Sequence, residues 1–365
     1  MRKRSTALVL IAVALAVSLV TAACSKDNGS SNSGDGGGGA ALTGAGATFP
    51  EPIYTQWFSD FDTLTGEQIN YQAIGSGGGV EQFTGQTVDF GASDAPLTGD
   101  EVAALPAGAV EIPTVVGGVA VAYNVSGVED GLKLDGATTA KIFLGTITKW
   151  NDPAITDQNP GVDLPNADIA VVHRSDESGT TKVFTSWLSS QSSEWKSQVG
   201  ADKAVEWPVG TGGDGNDGVA AGMSQTEGSI GYLSYDFAVT SGFGSAAIKR
   251  ADGAYVSPSV DSISKAAAAL KLPITEDTSI LNSTASGAYP ISTTTYLLIY
   301  KDQTDASKGQ TLVDFVYWAL TKGQEEVPQL NYAPLPKSIA TKALETLATI
   351  TSNGTPIQPS STVKT

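Results

Sequence analysis

The 365-residue chain has 38 Asp and Glu against 21 Lys and Arg, a formal charge of -17, which argues against non-specific nucleic-acid binding because that needs a basic surface. One Cys excludes an internal disulfide and any cysteine-rich zinc site, and one His excludes multi-histidine metal centres. A hydrophobic content of 41% is too high for a disordered chain, and 41 glycines promise many turns and places where bare backbone approaches something closely.

The chain opens on a positive stretch, Arg2, Lys3 and Arg4, followed by the uncharged apolar run Ala7–Val20. That run is short for a membrane-spanning helix, which needs about 20 residues, and suits a secretory signal. Ala22 and Ala23 then precede Cys24, the only cysteine. A lone Cys at this place resembles the lipobox of bacterial lipoproteins, although Thr21 stands where Leu is commonest. The resemblance implies cleavage before Cys24 and a diacylglycerol on its thiol, with residues 1–23 as signal. Residues 25–39 read SKDNGSSNSGDGGGG, a flexible tether, so residues 24–40 are expected to form a lipidated leash. The mature domain is then expected outside the cytoplasm, anchored to the membrane through its lipid.

From Ala40 onward, apolar runs alternate with Gly/Ser turns and amphipathic stretches. Strands are predicted at 69–74, 88–92, 112–123, 169–173, 229–233 and 291–300. Helices are predicted at 52–63, 80–85, 138–144, 180–188, 217–223, 262–270, 310–320 and 337–350. In the last of these, Ile339, Ala343, Leu347 and Ile350 fall at helical spacing. The alternation implies an α/β architecture.

Four hydroxyl- and glycine-rich segments stand out. Thr43–Pro50 (TGAGATFP) leaves backbone uncovered before a helix that Pro50 or Pro52 could start. It is an imperfect GxGxxG, with Phe49 in the third glycine position and no strand expected before it, which argues against a dinucleotide site. Ile74–Val80 (IGSGGGV) follows a strand, with Ser76 placed as a helix N-cap whose neighbouring amides suit an oxyanion. His173–Thr181 (HRSDESGTT) sets Ser178, Gly179 and Thr180 at another helix N-terminus, with Arg174 as a bidentate donor and Asp176 to hold it. Val88–Pro96 (VDFGASDAP) ends an apolar strand in Ser93 and Asp94. Read singly, each is equally a helix cap, a turn acid or a surface ion pair.

A carboxylate in an anion site only accepts hydrogen bonds, so it favours an anion that still carries a proton. Two unit charges ~4 Å apart at an effective dielectric of ~20 repel by roughly 4 kcal/mol, nearly a thousandfold in affinity. Phosphate, protonated at neutral pH, satisfies Asp94; sulfate does not.

In order along the chain, TGAGATFPEPIY, YQAIGSGGGVEQF, VDFGASDAPL, IPTVVGGVAVAYN, IFLGTITKWNDPAI, VVHRSDESGTTKVFTSWL, WPVGTGGDGNDGVA, GSIGYLSY and YPISTTTYLLIYKD together resemble the phosphate-binding protein of the bacterial phosphate ABC transporter. The resemblance runs from Leu42 to the C-terminal helix. It implies a two-lobed, class II periplasmic-binding-protein fold. Lobe 1 would comprise 41–117 plus 289–365 and lobe 2 118–288, joined by hinge strands at 112–124 and 289–300. It also implies a non-enzymatic, monomeric carrier of inorganic phosphate, without cofactor or metal, that serves an ABC permease. By position, the family's phosphate ligands fall on Thr48, Phe49, Ser76, Asp94, Arg174, Ser178, Gly179 and Thr180, with Asp176 orienting Arg174. Three neighbours depart from the family: Gly77 replaces a frequent serine, His173 precedes Arg174, and Glu177 stands where glycine is common. Glu177 is expected to face solvent and His173 to be structural.

Another oxyanion or a phosphate ester remains the alternative ligand. A phosphatase is disfavoured because no GxSxG, no P-loop GK pair and no activated nucleophile are present. A ligand-free surface lipoprotein would explain the leash but not four donor-rich turns.

Overall fold

The computed structural model describes residues 41–105, 108–271 and 279–364. The expected signal peptide (1–23), Cys24 and the tether (24–40) lie outside the described residues. The principal strands are β1 (Leu42–Gly46), β2 (Ile69–Ala73), β3 (Phe90–Ser93), β4 (Val110–Asn124), β5 (Ala170–Arg174), β6 (Thr211–Gly213), β7 (Ser229–Ser234) and β8 (Ser292–Ile299). The helices that bear on the site are α1 (Glu51–Thr65), α2 (Gly75–Thr84), α3 (Gly99–Ala104), α4 (Gly179–Gln191) and α5 (Gly215–Ser224); α6 (Ala306–Leu320) and α7 (Lys337–Leu347) follow.

The strands form one sheet in the order β2-β1-β3-β8-β4-β7-β5-β6, with the two-residue strand Gly244–Ser245 also on β4. β1 is parallel to both β2 and β3, and β5 is parallel to β6 and β7; the pairings of β8 and β4 are antiparallel. β4 changes partner part-way. Its residues up to Gly118 pair with β8, and from Val119 it pairs with β7. Pro113 lacks an N–H and cannot complete a ladder in mid-sheet. The register shifts there, between the pairings of Thr295 and Tyr296.

The core follows from the strand pattern. β4 is buried on both faces from Pro113 to Tyr123, as a near-continuous apolar run predicts for a central strand. Aromatic side chains of α1, Tyr54, Trp57, Phe58 and Phe61, fill the space against Tyr71, Phe90 and Phe315. On the far side Tyr232 stacks on Phe184 at 4.4 Å and on Trp207 at 5.5 Å.

Three expectations need correction. A strand does belong to the first glycine segment: β1 runs through Gly44 and Gly46, in the middle of the parallel set. α2 starts at Gly75, five residues before the predicted start. Ser76 is therefore inside the helix and is not its N-cap, a position held by Ile74 without a side-chain bond.

Candidate functional site

Parallel strands deliver their carboxyl ends to one edge of a sheet, and open α/β sheets bind ligands at that edge. Here β1, β2, β3, β5 and β6 lead directly into Thr48, Ser76, Asp94, Arg174 and the turn before α5. The structure brings together the segments that sequence reading singled out. Thr48, Ser76, Asp94, Arg174, Ser178 and Thr180 are all buried, although every one is polar or charged. Burial of such groups is stable only where hydrogen bonds satisfy them.

Arg174 provides the positive charge. Its Nε donates to Asp176 Oδ1 at 2.6 Å, its Nη2 to Asp176 Oδ2, and its Nη1 to Thr180 Oγ1 at 3.4 Å. Asp176 Oδ1 also accepts the Gly215 amide at 3.2 Å, which ties the pair to the start of α5. The Arg174 backbone N–H is held by Tyr232 Oη at 3.1 Å, and Tyr232 in turn bonds Thr181 Oγ1 at 2.7 Å. A guanidinium has five N–H donors. Three are committed to these side chains, so two remain for a bidentate oxyanion.

Asp94 provides the negative charge. Thr295 Oγ1 donates to its Oδ1 at 2.9 Å, and Ser76 Oγ contacts Oδ2 at 3.4 Å. Its own amide donates to Ser76 Oγ at 3.2 Å. Burial pushes its pKa up to about 7, against the lowering effects of Thr295, Arg174 and Ser76.

The segments meet at very short range. Gly75 sits at φ +85°, open to glycine, and a Cβ there would come within 2.4 Å of Asp176 Oδ2. A Cβ on Gly179 would fall 2.5 Å from Ser76 Oγ and 2.8 Å from the Asp94 Cβ. Ser178 caps α4, its Oγ accepting the Thr181 N–H at 3.1 Å, while its own N–H donates to Lys203 O at 2.9 Å. The amides of Gly179 and Thr180 are among the first-turn donors that a helix cannot satisfy internally. The Lys203 ammonium pairs with Glu101 of α3, itself the capping-box residue of that helix.

Phe49 contributes backbone alone. Its ring lies in the core against Tyr332, whose hydroxyl donates to Phe49 O at 2.5 Å. Of the three departures, Glu177 is exposed, as expected. Its Cβ lies where a side chain on residue 77 would go, 2.3 Å from an ideal Cβ on Gly77, and Gly77 N–H donates to Glu177 O at 2.9 Å. The two departures therefore fit each other. His173 stacks on Trp207 at 4.8 Å and bonds Arg174 O through Nδ1, a structural residue whose pKa burial lowers.

Sequence reading missed Thr295, Tyr232 and Asn216. Four consecutive hydroxyl residues, Ser292–Thr295, interrupt an otherwise apolar strand and are all buried. That run was the available signal. Tyr232 gave none, since a tyrosine in an apolar strand reads as core.

A family model described as a PBP superfamily domain matches residues 30–322. The chain is 42% identical over 301 residues to the phosphate-binding protein PstS of Xylella fastidiosa strain Temecula1, covering 82% of each. The chain belongs to the PstS family of phosphate-binding proteins. It is also 38% identical over 315 residues to phosphate-binding protein PstS 3 of Mycobacterium leprae, covering 82% of this chain and 84% of that one. A solved structure of a phosphate-binding protein from Stenotrophomonas maltophilia aligns with a TM-score of 0.66 at 20% identity, covering 84% of this chain and 94% of that one. That likeness shows the shared fold. The PstS family comprises transport components without enzymatic activity.

Proposed function

We propose that this chain captures inorganic phosphate outside the cytoplasmic membrane and delivers it to an ABC-type importer. The observation that carries the reading is the buried Arg174, pinned by Asp176 and Thr180 with two N–H groups to spare, in the electrostatic field of a buried carboxylate, Asp94. An anion with both charge and a proton suits that combination. Phosphate would accept hydrogen bonds from Arg174 on one side and donate one from its P–OH to Asp94 on another. Thr48, Ser76, Ser178 and Thr180 would add hydroxyl donors, and Phe49 and Gly179 backbone amides, the Ser178 amide being held by Lys203 O. Fully ionised sulfate has no proton for an ionised Asp94 and would be refused above about pH 7.

Two lobes, 41–117 with 289–365 and 118–288, would close over the anion. The partner change in β4 between Gly118 and Val119 supports this division. A permease that distinguishes closed from open forms would read occupancy from closure. A diacylglyceryl group on Cys24 and the tether to residue 40 would keep the monomeric domain at the membrane.

The test uses the purified, unlipidated chain freed of bound anion, titrated with phosphate and then sulfate by calorimetry and tryptophan fluorescence. At pH 8, where Asp94 is ionised, saturable phosphate binding without a sulfate response is expected. Arg174→Ala should raise the phosphate Kd at least ~30-fold, as losing one partner of a buried charge pair costs about 2–5 kcal/mol. Equal affinity for both anions would refute the selectivity reading, and no phosphate binding by folded protein would refute the function.

A further inference from the structure

Asn216, the second residue of α5, is fully buried and has no place in the ligand set above. Its side-chain Nδ2 donates to Thr48 Oγ1 at 2.8 Å, and its backbone N–H donates to the same oxygen at 3.2 Å. Its Oδ1 accepts the Ser234 backbone N–H at 2.9 Å. A backbone N–H can only donate, so the atom facing Ser234 must be the amide oxygen, and the NH2 must face Thr48. The orientation of the amide is therefore fixed by β7.

A hydroxyl has one proton and two lone pairs. Both donors of Asn216 occupy the acceptor side of Thr48 Oγ1, and neither can accept. What Thr48 has left is its proton, which finds no acceptor among the described residues although Thr48 is only 2% exposed. A buried hydroxyl arranged this way acts as a donor.

We propose that Asn216 is a positioning residue that makes Thr48 an obligate hydrogen-bond donor to the bound anion. The inference rests on the phosphate reading and adds a consequence to it. A donor-only Thr48 has no acceptor for the proton of a P–OH group and donates best to a bare phosphate oxygen. The ligand proton is thereby directed away from Thr48 and toward the acceptor, Asp94. Asn216 thus sets the rotational state of phosphate in the site without touching it.

The experiment is a double-mutant cycle on phosphate affinity, read by calorimetry, with thermal unfolding of the anion-free protein as the structural control. Thr48→Val keeps the shape and deletes the hydroxyl; it should weaken phosphate about tenfold, the equivalent of one hydrogen bond to a charged group. Asn216→Ala should cost a similar factor alone and less than about twofold in the Thr48→Val background. Asn216→Asp keeps the acceptor for Ser234 and the side-chain size, so it guards against loss of folding. It invites the Thr48 proton toward its own carboxylate, and its penalty should shrink at least about fivefold when Thr48 is Val. Equal penalties in both backgrounds would mean that Asn216 acts through the fold, and the proposal falls. It also falls if Thr48→Val leaves affinity unchanged while Arg174→Ala weakens it, an outcome that leaves the phosphate reading standing. Absence of phosphate binding in the unmutated chain removes both.

Discussion

Asp94 holds its proton more tightly than an ordinary carboxyl, because its ionised form is buried and the hydroxyls and Arg174 offset only part of that cost. The ordinary value is 3.8 and the folded value about 7, so folding takes up a proton between them. Its contribution to the stability of the anion-free protein is therefore complete below about pH 4 and is lost as pH rises toward 7, on the order of 4 kcal/mol in all. Glu111 and Asp236, also raised by burial, act in the same direction. Asp94→Asn should flatten this decline and raise the melting temperature at pH 8, while weakening phosphate. The protonation state also bears on selectivity. A protonated Asp94 can donate to sulfate, so the phosphate-to-sulfate affinity ratio should widen from pH 5 to pH 8. A ratio that stays constant across that range would show that Asp94 is not the discriminating group.

At the same scale, Gly77 and Glu177 form a matched pair. A serine at 77 would drive its Cβ into the Glu177 Cβ, which cannot rotate away. Gly77→Ser should weaken phosphate about tenfold, from a strain of roughly 1–3 kcal/mol, and adding Glu177→Gly should recover most of the loss. Additive penalties in the double variant would show that the two positions are independent.

At the scale of elements, the long apolar stretches were legible and the glycine-rich ones were not. β4 was found nearly whole because a long, nearly continuous apolar run has few alternatives, and β7 and β8 because their β-branched, aromatic and aliphatic residues sit between turn signals. β1 and the start of α2 were read as turns because LTGAG and GSGGG have poor intrinsic propensity. Packing overrode propensity in both. The Phe90 ring lies 2.1 Å from where a Gly44 Cβ would sit, and a Gly79 Cβ would be 2.4 Å from the Gly46 Cα. Each glycine is there because another part of the chain fills the volume of its missing side chain. That information is in the tertiary contacts, not in the local sequence. The site divides the same way. Arg174, Asp94 and the hydroxyls of α2 and α4 were visible because their segments have unusual composition. Asn216, though inside a singled-out segment, shows its role only once Thr48 and Ser234 are seen on either side of it.

At the scale of the molecule, the sheet is not assembled in chain order. β8 lies between β3 and β4, so the middle of the sheet is completed by a segment that follows β4 only after residues 125–291. Every hydrogen bond of β8 closes a long loop, and such topologies fold slowly. A chain ending at Ile291 should lack a cooperative denaturant transition; one with the full denaturant sensitivity of the intact protein would contradict this. During synthesis at roughly 5–20 residues per second, the facing edges of β3 and β4 wait about 10–30 s for their missing neighbour. Over that interval the nascent chain presents unpaired strand edges, which invite pairing with other chains. The arrangement that places Thr295 beside Asp94 thus also makes the newborn chain dependent on protection until β8 arrives.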